Sequence, residues 1–304
     1  MTTRRLRALV LGSGAGGGVP QWNCRCRVCR LAWDGDPRVR PRTQSSVAVS
    51  VDGERWLLLN ASPDIRQQIQ STPALQPRGD SRGSPIAAVL VTNADVDHVT
   101  GLLGLRERQE MVVWGSRQTL AVLGANRIFD VLADDVVERR VVPLGESFEP
   151  LPDLRVELFM VPGKVPLWLE EGEVATDVET EGTVGVAIEA LGRRLLYVPG
   201  CARPTPALEA RLAAAHAVFF DGTLYDDDEM IREGLGSKTG RRMGHMPMTG
   251  AGGSIEAFAH HAGLRRIFIH VNNSNPALVE GSIEQRAVAA AGWDIAWDGM
   301  DIFP

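Results

Sequence analysis

No apolar run in this chain approaches the ~20 residues that a membrane-crossing helix requires, which excludes a helical membrane protein. A basic face is missing as well. The formal net charge is −6 and the arginines are scattered rather than clustered, so nothing tracks a run of phosphates and nucleic acid is excluded as a partner. Cysteine is scarce, four in 304 residues. Three of the four stand at Cys24, Cys26 and Cys29, too close along the chain to pair without strain, and a reducing compartment would not maintain such bonds. Disulfides are therefore not expected to hold the fold. Arg4-Arg5 ahead of Ala8-Leu9-Val10-Leu11-Gly12 has the outline of an export signal, but its apolar run is too short and no small-residue cleavage site follows. A first β-strand and a cytoplasmic protein are the expectation.

Hydrophobic residues make up 44% of the chain, enough for a substantial core. Short apolar runs, several of them bounded by Gly, Pro, Asn or Asp, predict strands over 7–12, 46–51, 55–60, 86–92, 111–114, 155–161, 184–190, 194–198, 217–221 and 266–271. Apolar spacing predicts helices over 63–70, 98–106, 116–123, 205–215, 254–262 and 282–291. Pro63 suits the first turn of the first of these, and Ser62 suits its cap. A leading run of strands, a middle strand cluster and a return to strand–helix alternation predict two sheets covered by outer helices, in one domain over residues 1–304. Segments 73–85 and 166–182 read as surface loops.

Asp95, Asp97 and His98 follow the strand 86–92 directly, in the turn that opens a helix. The carboxyl end of a buried strand is a common place for active-site residues, because the backbone is fixed while the side-chain tips reach a crevice. Taken alone, an Asp-His pair reads first as a helix cap beside a solvated imidazole, and it is the context that turns it toward a site; Asp95 either joins that site or caps the helix. His270 closes another apolar strand, with Asn272 and Asn273 just beyond it, and alone it reads as a hydrogen-bonded histidine. Together the two strand ends offer Asp97, His98 and His270 to one crevice. A face of two histidines and one carboxylate with open positions suits non-haem Fe(II) and oxygen better than Zn(II) hydrolysis.

A third strand end supplies Asp221, and His245 stands in the loop Gly244-His245-Met246-Pro247-Met248. A carboxylate that orients an imidazole fixes its tautomer and raises its basicity, as a general acid or base needs. Asp221 and His245 are the candidate pair, set against a structural aspartate and a surface histidine. His216, His260 and His261 lie on or beside helices without such settings and are expected to be structural or solvent-facing.

Cys24, Cys26 and Cys29 satisfy three corners of a tetrahedron, which points to a structural Zn(II) completed by a distant residue or water. Asn273 is a candidate fourth partner through its side-chain oxygen; the alternative is three oxidation-prone reduced thiols without metal. Cys201 reads as a lone thiol. Gly12-x-Gly14-x-x-Gly17 formally matches a dinucleotide fingerprint, but the thiols follow it instead of a helix. Those glycines are better read as letting the backbone turn tightly and approach the site.

In order along the chain, the segments 12–29 with Pro20-Gln21-Trp22-Asn23-Cys24, Arg42-Thr43-Gln44-Ser45-Ser46, Asn60-Ala61-Ser62-Pro63-Asp64-Ile65-Arg66, Asp97-His98-Val99-Thr100-Gly101, Asp221-Gly222-Thr223-Leu224, Gly244-His245 and His270-Val271-Asn272-Asn273 resemble the pyrroloquinoline quinone (PQQ) synthesis protein B family of the metallo-β-lactamase fold superfamily. The resemblance implies an αββα sandwich of two mixed sheets flanked by helices, cytoplasmic action in PQQ biosynthesis, and a thiolate zinc site. Against the wider superfamily, Asn93 and Asp95 stand where two histidines would be, 161–164 offers no third, and 197–200 lacks the aspartate that bridges two metals. One metal position is thus lost, which disfavours a two-metal hydrolase. The leading expectation is an Fe(II)-dependent, O2-using hydroxylase of the tyrosine ring in a Glu-Tyr-derived precursor. Asp97, His98 and His270 would hold the metal while Asp221 and His245 move protons. Arg66 would either pair with a substrate carboxylate or be a solvated helix residue. Two alternatives stand beside this expectation: a single-zinc hydrolase in precursor processing, and a non-catalytic carrier of PQQ or its precursor. Other proteins of the pathway are possible partners.

Overall fold

The computed structural model describes residues 4–79, 81–172 and 175–304. Residues 1–3 of the expected domain, residue 80 in the first expected loop, and residues 173 and 174 in the second lie outside the described residues. The first part of the chain supplies β1 (Arg7–Gly12), β2 (Ser46–Ser50), β3 (Trp56–Leu59), β4 (Ile86–Val91), β5 (Met111–Gly115) and β6 (Val137–Val141). The second supplies β7 (Ser147–Leu151), β8 (Leu154–Gly163), β9 (Val178–Ala190), β10 (Arg193–Val198), β11 (Ala217–Asp221), β12 (Arg265–Ile269), β13 (Trp293–Ile295) and β14 (Asp301–Ile302).

Two seven-stranded sheets result, ordered β14-β1-β2-β3-β4-β5-β6 and β13-β12-β11-β10-β9-β8-β7. Each is mixed. Pairing is parallel from β3 to β6 and from β10 to β13, and antiparallel elsewhere. Inner parallel strands such as Ile86–Val91 and Ala217–Asp221 are continuous apolar runs, because a strand covered on both faces has no solvent side for polar residues. One apolar cluster, including Leu57, Leu59, Val156 and Tyr197, fills the space between the sheets. Two others lie on their outer faces under the helices. This is the sandwich that the resemblance implies.

Several elements depart from the sequence expectation. The helix expected over 98–106 is an α-turn at Val96–Val99 continued by a 3₁₀ segment, Thr100–Leu105. The helix expected over 63–70 starts at Ile65, with Asp64 rather than Ser62 at its cap position, and Ser62 Oγ accepts from the Asp64 N–H at 3.3 Å. The helix expected over 254–262 ends at Ala257. An unexpected helix, Arg27–Trp33, begins inside the thiol run. Strand β9 reaches back to Val178, through residues whose polar character reads as loop.

Both parallel halves point their carboxyl ends at one edge of the sandwich. Asp97 and His98 follow β4, Asp221 ends β11, and His270 follows β12. The glycine run closes this edge: Gly14 bridges both Gln44 and Val271, and Asp298 clamps it by accepting from the backbone N–H of Ser13 at 2.9 Å and of Thr43 at 2.6 Å.

Candidate functional site

A cavity of about 490 Å³ opens at that edge, lined by Asp97, His98, His245 and His270 among others. A larger one, about 810 Å³, lies against Phe148, Arg194 and His216, away from these groups. The ligand atoms of Asp97, His98 and His270 all lie within 4.8 Å of one another. His98 is buried, and its Nδ1 lies 2.6 Å from Asn93 Oδ1. The Asn93 amide is itself oriented, its Nδ2 donating to Asp95 Oδ2 at 2.9 Å and its Oδ1 accepting from the Asp95 N–H at 3.1 Å. An oxygen facing Nδ1 makes Nδ1–H the donor and leaves Nε2 a bare lone pair. That Nε2 is buried with no hydrogen-bond partner, 3.7 Å from Asp97 Oδ2. Burial pushes the His98 imidazole below its ordinary pKa, against the pull of Asp97, and keeps it neutral. A lone pair aimed at a carboxylate is unfavourable unless a cation lies between them, so the donor set fits a metal ion.

His270 completes the set, its Nε2 lying 3.0 Å from Asp97 Oδ2. Its backbone is left-handed, φ 58°, which is uncommon outside glycine and asparagine. Burial lowers its pKa, but the Asp97 hydrogen bond and nearby carboxylates outweigh burial, and the net direction is upward. Asp97 shows the converse balance: burial raises its pKa, yet His98 and His270 hold it well below the usual carboxylate range.

Asp221 is fully buried, and its Oδ2 lies 2.8 Å from His245 Nδ1. Sequence reasoning treats this pair as separate from the metal set, but the structure joins the two. Asp221, His245 and His270 also lie within 4.8 Å of one another, and the His245 and His270 rings stack at 5.4 Å. The link is Thr223, quoted in the sequence only as part of the Asp221–Leu224 segment and given no role there. Its Oγ1 donates to Asp221 Oδ1 at 2.7 Å and lies 3.1 Å from His245 Nδ1 and 3.0 Å from His270 Nδ1. A hydroxyl committed to a carboxylate accepts from the imidazoles, which leaves His270 Nε2 as the nitrogen that could ligate a metal.

At the second site the sulfurs of Cys24, Cys26 and Cys29 cluster within 4.8 Å. Each accepts a backbone N–H at 3.4 Å, from Cys26, Cys29 and Gln21 respectively, the pattern that stabilises thiolates. Burial pushes the Cys26 thiol up to about 12 and raises Cys29 too, so a cation must displace protons on entering. The Asn273 amide lies at the fourth corner, but with its Nδ2 toward the sulfurs, 3.1 Å from Cys24 and 3.2 Å from Cys29. The expected oxygen contact is therefore reversed; half a turn of the amide exchanges the two atoms.

Other expectations fare differently. Asp95 occupies the helix cap position without a side-chain capping bond, being held by Asn93 instead. Arg66 is exposed and does not line the cavity. His216 Nδ1 accepts from the Arg194 N–H at 3.1 Å, and His261 pairs with Glu209 at 2.7 Å. Cys201 is a buried thiol whose N–H donates to Asp221 at 3.0 Å. Gly200 lies in the region read as lacking a bridging aspartate, and its missing Cβ would be 3.5 Å from His245 Cε1. Among the described residues no helix is long and apolar enough to cross a membrane.

Residues 55–271 match the β-lactamase superfamily domain. The chain is 64% identical over 295 residues to the coenzyme PQQ synthesis protein B of Methylobacterium nodulans, covering 97% of this chain and 99% of that one. The protein of the same name from Methylorubrum extorquens is 59% identical over 297 residues, covering 98% and 99%. The crystal structure of Zn(2+)-bound PqqB from Methylobacterium extorquens superposes with a TM-score of 0.96 at 59% identity, covering 98% of this chain and all of that one. A diphosphatase of the PhnP family, 20% identical with a TM-score of 0.68 over 98% and 96%, shares the fold. The chain belongs to the coenzyme PQQ synthesis protein B family, within the metallo-β-lactamase fold superfamily.

Proposed function

We propose that this protein acts in the biosynthesis of PQQ, in the cytoplasm, as a mononuclear iron-dependent, O2-using hydroxylase of the tyrosine ring in a Glu-Tyr-derived precursor. Family membership supports the pathway. The chemistry rests on one observation: a neutral His98 aims an unpartnered Nε2 at Asp97, and His270 completes a set of two imidazoles and one carboxylate beside a cavity. Fe(II) held by these three side chains would supply an oxygen-activating centre with open positions. The thiols of Cys24, Cys26 and Cys29 would hold a structural Zn(II).

The chain's own groups do the rest. Asp221 fixes His245 through Nδ1 and leaves its Nε2 to take the phenolic proton and return it. Thr223 keeps the His245 and His270 rings in register. Each turnover converts a ring C–H into C–OH with one atom of O2; the second leaves as water with two protons and two electrons from an external two-electron reductant. The test incubates anaerobically purified, Fe(II)-loaded protein with a tyrosine-containing precursor, O2 and ascorbate. The expected result is a mass gain of one oxygen atom per turnover, labelled from 18O2. No gain with any Glu-Tyr precursor overturns the reading.

A single-zinc hydrolase is the second reading, favoured by the Zn(2+)-bound state of the 59% identical structure. It calls for a mass gain of water that is independent of O2 and sustained by Zn(II).

A further inference from the structure

The chain holds 32 lysine and arginine residues, and only two of them, Lys164 and Lys238, are lysines. Both line the cavity beside Asp97, His98 and His270, and among the described residues no arginine does. Both lysines donate to one carboxylate: Lys164 Nζ lies 2.8 Å from Glu170 Oε1, and Lys238 Nζ lies 2.7 Å from Glu170 Oε2. The side chains of Lys164 and Glu170 are 14% and 16% exposed. Lys238, at 40%, stands at the rim.

This is not an ordinary surface ion pair. Two ammonium groups face one carboxylate, an excess of one positive charge, in a cavity whose other fixed charges include Asp95 and Asp97. The three residues come from different places. Lys164 directly follows β8, Glu170 lies in the connection to β9, and Lys238 follows the helix Glu229–Arg232. A lysine is a compact point charge with three rotatable donors on a flexible stem, so it releases one carboxylate and takes another, where the planar fork of arginine would hold its partner in one bidentate geometry.

We propose that Lys164 and Lys238 form a carboxylate-binding subsite for an aromatic di- or tricarboxylate, and that Glu170 is a built-in carboxylate occupying it until the ligand's own carboxylate takes its place. The inference rests on the reading that this cavity receives the substrate. It adds the substrate's chemical class and an internal competitor. Exchanging one carboxylate for another conserves the charge-assisted hydrogen bonds, and because Glu170 is tethered it competes at a high effective concentration.

The test is calorimetric titration of the metal-loaded full-length protein with benzene-1,3,5-tricarboxylate, and with the uncharged benzene-1,3,5-trimethanol. Glu170→Gln is expected to bind the tricarboxylate about tenfold tighter than wild type, as loss of a tethered competitor requires. Glu171→Gln, the same charge change on the neighbouring exposed residue, is expected to leave affinity unchanged. Lys164→Met and Lys238→Met are each expected to weaken binding about tenfold through a lost charge-assisted bond, and the triol is expected to be indifferent to all four. Unchanged or weaker binding by Glu170→Gln, equal gains from Glu171→Gln, or wild-type affinity in Lys238→Met overturns the proposal. So does failure of both wild type and Glu170→Gln to bind. Lys238 is partly exposed, so its variant keeps the test open if Lys164→Met does not fold. No turnover is needed. The expected binding pattern without oxygen incorporation keeps the subsite and sinks the hydroxylase, while incorporation with no response to these variants does the reverse.

Discussion

Asp97 Oδ2 lies 3.0 Å from His270 Nε2, although 173 residues separate the two in the chain. They follow strands of different sheets, and they meet because the parallel halves of both sheets open at the same edge. His270 reaches this position at φ 58°, a backbone state of roughly 1–3 kcal/mol that persists only where its surroundings enforce it. Here the enforcement is visible: Val271 exchanges hydrogen bonds with Ser13 and Ala15 of the glycine run, at 3.0 and 2.9 Å.

Thr223 links the candidate proton-handling pair Asp221–His245 to His270 of the candidate metal set. Thr223→Val removes a donor from buried Asp221 and an acceptor from both imidazoles, an expected cost of about 1–3 kcal/mol. Metal affinity should fall and the alkaline and acid limbs of the activity–pH profile should move together, while Thr223→Ser restores both. A profile identical to wild type would remove Thr223 from the network.

Asn93 holds the candidate ligand His98 in place, its Oδ1 lying 2.6 Å from His98 Nδ1. Asn93→Ala takes away the oxygen that orients His98 through Nδ1. Metal affinity at this site is expected to drop by about 10–100-fold, the usual scale for an outer-shell partner, with no change at the thiol site. Equilibrium titration against a coloured chelator measures it.

Two glycines of the same run should respond in opposite ways. A Cβ on Gly12 would overlap the Gln44 carbonyl oxygen, which is backbone and cannot yield; a Cβ on Gly16 would rest 3.6 Å from Asp97 Cγ, an ordinary contact. Gly12→Ala is expected to destabilise the fold by about 3 kcal/mol or more, and Gly16→Ala by under about 1. Chemical denaturation of the two variants checks the contrast.

The buried carboxyl of Glu229 gives a pH dependence. Burial raises it from 4.5 to about 7, against donors from Ser274 and Tyr225. Below about pH 4.5 it is protonated in both folded and unfolded chains and weakens neither. As pH rises toward 7, the unfolded chain ionises first, so stability falls by roughly 3 kcal/mol and then levels off. Glu229→Gln removes this loss, so its melting temperature should exceed that of wild type at pH 8 and match it near pH 4.5. Parallel curves for the two proteins would contradict it.

Much of the candidate site is legible in the sequence because it is built largely on rare residue types, at strand ends for Asp97, His98, Asp221 and His270 and in glycine-flanked or thiol-dense loops for His245 and the cysteines. Six histidines and four cysteines, read against apolar runs, single out Asp97, His98, His270, Asp221, His245 and the three thiols. What escapes is the supporting cast. Thr223 and Asp298 carry common side chains whose value appears only when distant segments bring partners to them, and the orienting role of Asn93 toward His98, five residues on, shows only in the folded turn. Lys164 and Lys238 are 74 residues apart in numbering and share a carboxylate that neither neighbours in sequence. In the fold, β6 escapes because an edge strand with a solvent face, VERRV, looks polar, and β13 and β14 are too short for a period to register. The helix Arg27–Trp33 is hidden by the thiols at its start: Cys26 Sγ caps it, accepting from the Cys29 N–H.

The two candidate metal sites are joined by one short segment, with His270 in the first and Asn273 beside the thiols of the second, and no side chain belongs to both groups. Metal stoichiometry of wild type beside Asp97→Ala and Cys26→Ser, by plasma mass spectrometry after loading under anaerobic conditions, is therefore the most direct measurement. Two ions per chain are expected for wild type, with Asp97→Ala keeping only the thiol-bound ion and Cys26→Ser only the one beside His98. Two ions retained in Asp97→Ala would contradict the assignment of Asp97, His98 and His270 as the seat of the reaction.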